Sequence, residues 1–521
     1  MSDKKTNIPP VHEPTAVTVT PTEKPQRGKK AMAAAPTVAA FNLDAPLRWK
    51  GANPQEQRVL QNLQGNILKG HGRDRTWNIF FELGTDELLS KRALREIGNF
   101  RVTSAYEQLL ATETFRSDQK DGGTFCAAFL TAAGYTALGL TFAAPTGNSA
   151  FAPGMKDASS VSALADPEVT DWEEPFQKTI HGLIIIADDD VARGSAAVRE
   201  IEDLLTDSGA TIHHTQVGQA IRNTDGNGLE HFGYIDGRSQ PLMLVEDIEK
   251  ESRDAGIAHW DPTFPLSTAL VQDELTDDAD AFGSFFIFRK LEQNVAGFKS
   301  REQDLADELC LKGEDRERAG AIVVGRFEDG TPITMSSDAK KLKEPQNDFD
   351  YKADAAASRC PFHAHIRKTN PRGAGGFEVE ADERLHIMAR RGIPYEDTPR
   401  TLHPDGLPEA FTHDEFNEKV LPHLPTGGIG LLFMAYNARL DNQFVFTQQT
   451  WANNLTFPNQ PDASGLDGVI GQGPNIAGGQ AYPKEWDNLA AGARKLDFSG
   501  FVKMKGGEYF FAPSIMFLRN L

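Results

Sequence analysis

The chain has 521 residues, of which 39% are hydrophobic and 25% are charged, a composition typical of a soluble globular protein with two or three domains. Its formal net charge of −20 argues against a general nucleic-acid binder and against docking on anionic membranes, because both need clustered Lys and Arg. No apolar run approaches the roughly 18 residues that a membrane span needs.

The cysteines indicate a reducing compartment. Cys126, Cys310 and Cys360 are odd in number, widely spaced and form no CxxC pair. This pattern excludes a disulfide framework and a cysteine zinc site. The early lysines are not followed by an apolar segment, so the sequence shows neither a secretory signal nor a twin-arginine export signal. The expected location is the cytoplasm.

Residues 1–42 are predicted to form a disordered tail. Pro, Thr, Lys and Ala dominate it, and large apolar side chains are nearly absent before Phe41. Such a segment buries too little surface to offset the entropy of ordering it. The alternative is an arm that binds a partner.

Residues 43–245 are predicted to form a first α+β lobe, an antiparallel sheet with helices on one face. Strands are recognised by alternating apolar residues and helices by apolar residues at helical spacing, with Thr85 as a helix cap. In chain order the predicted elements are a strand carrying Trp77, Ile79 and Phe81, a helix at Asp86–Gly98, a strand at Thr124–Leu130, a helix at Tyr135–Leu140, a strand at His181–Ala187 and a helix at Ala196–Leu205.

Residues 246–280 are acidic and are predicted to form a loop-like connection, and residues 281–521 a second lobe with similar element order. The region Asn459–Tyr482, rich in Gly, Asn, Gln and Pro, is expected to be a long loop over the surface or the mouth of a site. The elements predicted for this lobe are a strand at Gly283–Phe288, a helix at Arg301–Leu311, a strand at Gly430–Tyr436 and a strand continuation at Phe444–Phe446.

Two kinds of chemistry lie between Cys360 and Tyr395. His363 and His365 are two residues apart and would share one face of a strand. Arg390 and Arg391 follow about 25 residues later. An imidazole that holds a metal and a guanidinium that faces its far side would suit an iron cofactor with an open position. The alternative is a buried histidine and a surface arginine.

The segment HFGYIDGRSQP at residues 231–241 is a second informative stretch. Gly233 and Gly237 bracket Asp236 and allow close approach of the backbone to a large flat group. An Asp held there could act as a general acid–base, as a metal ligand or simply as a turn-former.

The GYIDG segment resembles the GxxDG signature of the dye-decolorising peroxidases. Six further blocks agree in order, so the resemblance covers roughly residues 60–515 and is greatest to the larger bacterial and fungal-type members (class C/D-like). The blocks are QGNILKGHGRD, GSFFIFRKLEQNV, VGRFEDGTP, AHIRKTNPR, RRGIPY and GLLFMAYNARLDNQFVFTQQTW. Glu396 stands where many members continue with glycine, which puts the local loop shape in doubt.

The resemblance implies an α+β fold of two ferredoxin-like lobes with one haem b per chain held between them. The family's axial histidine falls on His365, which leaves His363 as a bystander. The distal aspartate falls on Asp236 and the distal arginine on Arg390 rather than Arg391, with Arg390 keeping Asp236 ionised at acid pH.

Further cofactor contacts are expected around these residues. A carboxylate bonded to the second nitrogen of the axial histidine would make it more electron-donating, and Asp441 is the candidate, although it could also be a solvated Asp at a strand end. Backbone near Gly237, Arg238 and Ser239 is expected against the haem edge. Arg372 or Arg390 would pair with a propionate, and the aromatic residues Phe433 and Phe446 would line the proximal pocket or belong to the core.

The implied function is reduction of hydrogen peroxide, with one-electron oxidation of dyes or phenolic donors through a high-valent iron-oxo intermediate. Large donors would react at a surface aromatic residue, for which Tyr351, Tyr395 and Trp451 are candidates. The alternative is a haem-binding or iron-handling protein on the same scaffold, which would not need Asp236 and Arg390. No nucleic acid or membrane partner is expected, and both a monomer and a homodimer are open.

Overall fold

The computed structural model describes residues 40–340, 345–376, 378–404, 412–458 and 463–521. The predicted tail therefore lies almost wholly outside the described residues, and Phe41–Leu521 form one compact unit. The strands are β1 Arg75–Glu82, β2 Phe125–Leu130, β3 Gly182–Ala187, β4 Thr211–Gln219, β5 Ile221–Arg222, β6 Gly228–Leu229, β7 Val271–Gln272, β8 Phe282–Gln293, β9 Ala389–Arg390, β10 Ile393–Glu396, β11 Ile429–Asn437, β12 Gln480–Pro483, β13 Ala493–Leu496 and β14 Val502–Ala512.

The α-helices are α1 Pro54–Asn62, α2 Glu87–Phe100, α3 Ala105–Asp118, α4 Ala132–Ala137, α5 Ala158–Leu164, α6 Glu174–Gln177, α7 Val191–Asp207, α8 Val245–Asp254, α9 Val295–Glu308, α10 Arg318–Val324, α11 His365–Thr369, α12 Glu380–Glu383, α13 His413–Lys419 and α14 Ile515–Asn520. Two consecutive π-helical segments, Asp441–Val445 and Thr447–Ala452, follow β11. None of the described helices is long and apolar enough to cross a membrane.

Both lobes contribute to one large antiparallel sheet, whose path runs β10-β11-β8-β14-β2-β3-β1-β4. The first lobe has the strand order β4-β1-β3-β2. The second lobe has the corresponding order β14-β8-β11-β10, so that β8, β10, β11 and β14 take the places of β1, β2, β3 and β4. The repeated antiparallel order, with α2 and α7 or α9 as crossover helices, confirms the prediction of two ferredoxin-like lobes.

The sheet curls back on itself. The two lobes join where Phe511 of β14 pairs with Leu130 of β2. At the outer edges β4 and β10 approach closely, because a Cβ on Gly218 would lie 2.6 Å from the Ile393 side chain. Gln216 Nε2 also donates to the carboxylate of Asp397 at 3.1 Å across this seam. Side chains rather than backbone ladders therefore close the barrel.

Aromatic side chains from both lobes fill a shared core. Phe80 of β1 packs edge-on against Phe288 of β8 with ring centroids 4.8 Å apart, and Phe129 of β2 stacks on Phe286 of β8 at 4.3 Å. All four side chains are at most 1% exposed. Such aromatic contacts stabilise a core beyond the area that they bury.

The structure confirms the predicted strands of the first lobe and corrects three local predictions. Asp86, not Thr85, caps α2, since its carboxylate accepts from Leu89 N at 3.0 Å. The acidic connection is not loop throughout, because it contains α8, whose first-turn acids Glu246 and Asp247 suit the helix dipole. The Phe444–Phe446 run is π-helical rather than a strand, since short apolar runs do not distinguish the two.

Candidate functional site

A cavity of about 490 Å³ lies against the sheet of the second lobe, and the loop of residues 230–240 lines its other side. Its size is in the range of cofactor and ligand pockets. We call the side formed by α11 and the loop of residues 467–472 the histidine wall. We call the side formed by residues 230–240 and β9 the loop wall. Apolar side chains lie between them, including Leu291, Val324, Ile366, Met388, Leu431, Phe433, Phe444, Val469 and Val502.

His365 is the first residue of α11 and lies in the cavity wall. Its Nδ1 is 2.9 Å from Oδ2 of Asp467, which is fully buried. The Asp467 carboxylate also accepts from the backbone N–H groups of Val469 and Ile470, at 2.8 and 2.9 Å. Burial opposes ionisation of Asp467, yet the charge and hydrogen bond of His365 and the two amides lower its pKa. This bond holds the proton on Nδ1 and leaves Nε2 available as a metal ligand.

The same short helix also fixes the loop that carries Asp467. The buried amine of Lys368, three residues after His365, donates to Asn454 O at 2.8 Å and to Gly465 O at 2.5 Å. Burial lowers the pKa of Lys368 to about 7. Because Gly465 is two residues from Asp467, α11 positions both the imidazole and its carboxylate partner.

Two further predictions for this side have opposite outcomes. His363 is buried away from the cavity, where Nε2 lies 3.2 Å from Ala481 O and burial lowers its pKa to about 4, as expected for a core histidine. The prediction that Asp441 partners His365 is wrong. Its carboxylate accepts from Ser149 N at 2.8 Å and Ala150 N at 3.1 Å.

The sequence patterns do not reveal Asp467, because it lies in the glycine-rich region Asn459–Tyr482 that is predicted to be a loop. It stands 102 positions from His365, so no local spacing connects the two residues. The available signal was an acidic residue flanked by Leu466, Gly468 and Val469 in an otherwise polar stretch.

The loop wall brings Asp236 and Arg390 to the same cavity as His365. The backbone N–H of Asp236 donates to Gly228 O at 3.0 Å, which ties it to the β5–β6 hairpin. Its carboxylate accepts no hydrogen bond from the described residues. Arg390 fastens β9 to the loop, since Nη2 donates to Arg238 O at 2.8 Å and its backbone N–H donates to Gln240 Oε1 at 3.0 Å.

Arg391 serves the fold rather than the cavity chemistry. Its guanidinium donates to the carbonyl oxygens of Asn66 at 2.7 Å, Ile67 at 2.8 Å and Arg390 at 2.7 Å. Burial lowers its pKa to about 10. With all three nitrogens engaged by backbone, Arg391 has little capacity left for a ligand, which agrees with the choice of Arg390.

One corner of the cavity is strongly basic. Arg372 Nη2 donates to Ser239 Oγ at 3.0 Å and Asn347 Oδ1 at 2.8 Å, and Arg326 Nη2 donates to the same Ser239 oxygen at 3.3 Å. Burial and, for Arg326, the nearby charge of Arg372 lower the pKa of Arg326 to about 9, and burial lowers that of Arg372 to about 10. No described carboxylate lies within ion-pair distance of either, so this corner favours an anionic ligand. Arg326 was missed, although the VGRFEDGTP block contains it.

The other predicted contacts lie in the wall with different roles. Gly237 has φ +80°, a conformation that favours glycine, and it leads into Arg238. The Arg238 guanidinium is engaged by the carboxylate of Glu251 at 2.8 and 3.0 Å and by Pro345 O at 2.7 Å. Its charge is therefore committed to α8 rather than to the cavity.

The candidate surface aromatics do not reach the surface. Tyr351, Tyr395 and Trp451 are each 1% exposed, so the prediction of a surface relay at these residues is wrong. Phe433 lines the cavity as expected, whereas Phe446 stacks on His386 with ring centroids 3.6 Å apart. An alternating apolar pattern predicts that an aromatic residue belongs to a strand or helix, but it does not predict whether the side chain is buried or exposed.

The residues of the cavity fit a haem. Nε2 of His365 suits iron, the apolar side chains suit a macrocycle, and the Arg326–Arg372 corner suits its carboxylates. Asp236 and Arg390 supply the acid–base group and the positive charge that cleavage of a peroxide bond requires. The fold and this site define a haem-dependent peroxidase.

The comparisons with known proteins agree. Residues 62–221 match the family model for the DyP dimeric alpha+beta barrel domain. The multifunctional dye peroxidase DyP2 of Amycolatopsis sp. is 45% identical over 92% of this chain and 99% of its own length. Its solved structure matches with a TM-score of 0.85 over 92% of this chain and all of that one, at 43% identity.

A DyP-type peroxidase structure from Anabaena sp. matches with a TM-score of 0.82 at 35% identity, covering 94% of this chain and 99% of that one. The dye-decolorizing peroxidase AauDyP1 of Auricularia auricula-judae is 32% identical over 73% of this chain and 72% of its own. The chain belongs to the dye-decolorising peroxidase family.

Proposed function

We propose that the chain binds one haem b through Nε2 of His365 and reduces hydrogen peroxide with dyes or phenolic compounds as electron donors. The observation that carries this proposal is the His365–Asp467 bond in the wall of the same cavity as Asp236 and Arg390. Bound haem would supply an iron with one open coordination position that accepts oxidising equivalents from peroxide. Arg326 and Arg372 would hold its propionates.

Asp236 and Arg390 act on the peroxide. Because no described residue donates to the Asp236 carboxylate, its oxygens are free to take the proton from one peroxide oxygen and return it to the other, which leaves as water. The Arg390 guanidinium stabilises the negative charge that develops as the O–O bond breaks. These two groups favour the enzyme over the haem-handling alternative, because a carrier needs neither.

The donor class is supported by the relatives. Several are named dye peroxidases, and one solved relative is a complex with 2,6-dimethoxyphenol. The three buried aromatics Tyr351, Tyr395 and Trp451 cannot meet a bulky dye directly. We therefore expect two separate reaction sites, the cavity for a small phenol and the protein surface for a bulky dye. The two donors would then compete for the oxidised enzyme but not for one binding site.

The test is peroxide-dependent oxidation of a dye and a phenol by the haem-loaded protein. Wild type is expected to turn over both, and Asp236→Asn to lower kcat/KM for peroxide by about 10²–10⁴-fold, the usual contribution of a positioned acid–base group. Asp225→Asn, an exposed position in the preceding hairpin, is the matched control. Full activity in Asp236→Asn would contradict the assigned role.

We further propose that one chain is sufficient for activity, since His365, Asp236 and Arg390 of one chain line the same cavity. A haem-loaded monomer isolated by size exclusion is expected to be active, whether or not a homodimer also forms.

We propose a reducing, cytoplasmic location on the basis of the free thiols of Cys126, Cys310 and Cys360. Fractionation of cells that express the full chain tests it, and recovery outside the cytoplasm would contradict it.

A further inference from the structure

Two tyrosines lie in the described cavity wall, and their hydroxyl groups have different surroundings. Tyr234, two residues before Asp236, donates its phenolic hydrogen to Oε1 of Glu302 at 2.6 Å. The hydroxyl of Tyr351, which is also buried, has no hydrogen-bond partner among the described residues. Only one of these two rings therefore has a carboxylate to receive its proton.

Glu302 belongs to a charged network that leads from the cavity towards solvent. Oε2 of Glu302 is 2.9 Å from Nζ of Lys299, which also contacts Glu328 Oε1 at 2.5 Å. The side chains of Glu302 and Lys299 are 8% and 6% exposed, whereas that of Glu328 is 24% exposed. The Lys299 amine also lies 5.0 Å from the centroid of the Tyr234 ring.

The backbone of α10 makes room for this pair. Gly320 lies so close that a Cβ at this position would collide with both the Tyr234 hydroxyl and Glu302 Oε1. The hydrogen bond therefore depends on a glycine in a neighbouring helix, a position where alanine would favour the helix more.

We propose that Tyr234 is a redox-active residue of the peroxidase reaction. With haem bound, Tyr234 would give one electron to the group that peroxide has oxidised, and its phenolic proton would pass to Glu302. The O–H bond of Tyr234 would break and an O–H bond would form on Glu302, while the electron released would cancel one of the two oxidising equivalents that peroxide supplies, so charge and atoms balance. A reducing donor later returns one electron to Tyr234, and Glu302 returns the proton.

The Glu302 carboxylate is needed because oxidation of a phenol releases a proton. A phenol that loses an electron becomes a strong acid, so oxidation is favourable only where a base takes the proton at once. Burial raises the pKa of Glu302 despite the opposing charge of Lys299, which makes Glu302 a stronger base for that proton. Tyr351 has no such acceptor and is expected to stay reduced.

The test is freeze-quench electron paramagnetic resonance of the haem-loaded protein after one equivalent of peroxide and without donor, with ring-deuterated tyrosine to identify the radical. Wild type and Tyr351→Phe are expected to give the same tyrosyl signal, and Tyr234→Phe, which removes a single oxygen, to lose it. Glu302→Gln is expected to lower the radical yield about tenfold, the order that loss of a hydrogen bond to a charged group implies.

A tyrosyl signal of wild-type yield in Tyr234→Phe, or no tyrosyl signal in wild type, would overturn the inference. It rests on the haem site proposed above, and the two fail differently. If the Soret band of wild type changes promptly with peroxide but the radical does not depend on Tyr234, only the inference falls. If the Soret band does not respond in wild type, the haem site falls and the inference with it.

Discussion

The two walls of the cavity are built in opposite ways. On the histidine wall the groups that orient Nε2 of His365 are all engaged, since Nδ1 of His365 holds Asp467, Asp467 holds two backbone amides, and Lys368 holds the loop that carries Asp467. On the loop wall the backbone is fastened by Arg390, yet the Asp236 carboxylate accepts no hydrogen bond from the described residues.

This difference matches what each side must do. A metal ligand needs one fixed orientation and tautomer, which hydrogen bonds supply. A proton-transfer group needs free lone pairs on a rigid support. The loop wall is therefore expected to control the rate with peroxide, and the histidine wall to control cofactor affinity.

Next to Asp236→Asn, Arg390→Leu is expected to have the largest effect, and it changes the rate with peroxide rather than cofactor binding. Loss of the guanidinium is expected to lower the rate with peroxide about 10²–10³-fold, as loss of a charge-stabilising donor commonly does, while haem affinity stays close to wild type. Stopped-flow absorption after peroxide mixing measures it.

Arg391→Leu is the matched comparison. It leaves the carbonyls of Asn66 and Ile67 without their donor and is expected to lower the free energy of unfolding by about 1–3 kcal/mol per buried carbonyl, with a rate near that of wild type. A large loss of rate in Arg391→Leu alone would reverse the assignment of the two arginines.

Acid is expected to weaken the loop wall through His231. This fully buried ring contacts Tyr395 O through Nε2 at 3.0 Å and Arg400 Nη1 through Nδ1 at 3.2 Å. Burial and the charge of Arg400 lower the pKa of His231 from 6.5 to about 4. Its contribution is therefore complete above pH 6.5 and is lost as the pH falls towards 4, by roughly 3 kcal/mol.

His231→Gln is expected to flatten the fall in the free energy of unfolding over that pH window, measured by urea titration at several pH values. His259→Gln, at an exposed position, is the control and should keep the wild-type slope. An unchanged slope in His231→Gln would show that other groups cause the acid sensitivity.

Asp467→Asn is expected to have a smaller effect, on the histidine wall. Outer partners of a metal-bound histidine are commonly worth about 10–100-fold in affinity, so haem binding should weaken by that factor. Asp441→Asn is the control, because its carboxylate serves the backbone at Ser149 and Ala150 instead. Haem titration of both apoproteins decides between them, and equal losses would restore Asp441 as a partner.

The sequence was sufficient for the lobes and for the residues that carry a motif. Alternating apolar residues predicted β1, β2, β3, β8 and β11. The match to the sequence blocks of the family predicted His365, Asp236 and Arg390. The Asp467 partner depends on a loop closing over 102 residues, which leaves no periodic signal. Local composition explains the other two errors: α8 is mostly charged and has no buried residue, and a short apolar run such as Phe444–Phe446 does not distinguish a helix from a strand.

The most direct test is the absorption spectrum of the haem-loaded protein before and after one equivalent of peroxide, for wild type, His365→Ala and His363→Gln. Wild type and His363→Gln are expected to show a Soret band that shifts promptly, because His365 lies in the cavity wall and His363 does not. In His365→Ala the band should be lost or altered. A wild-type spectrum in His365→Ala, or loss of the band in His363→Gln, would contradict the assignment of the axial ligand.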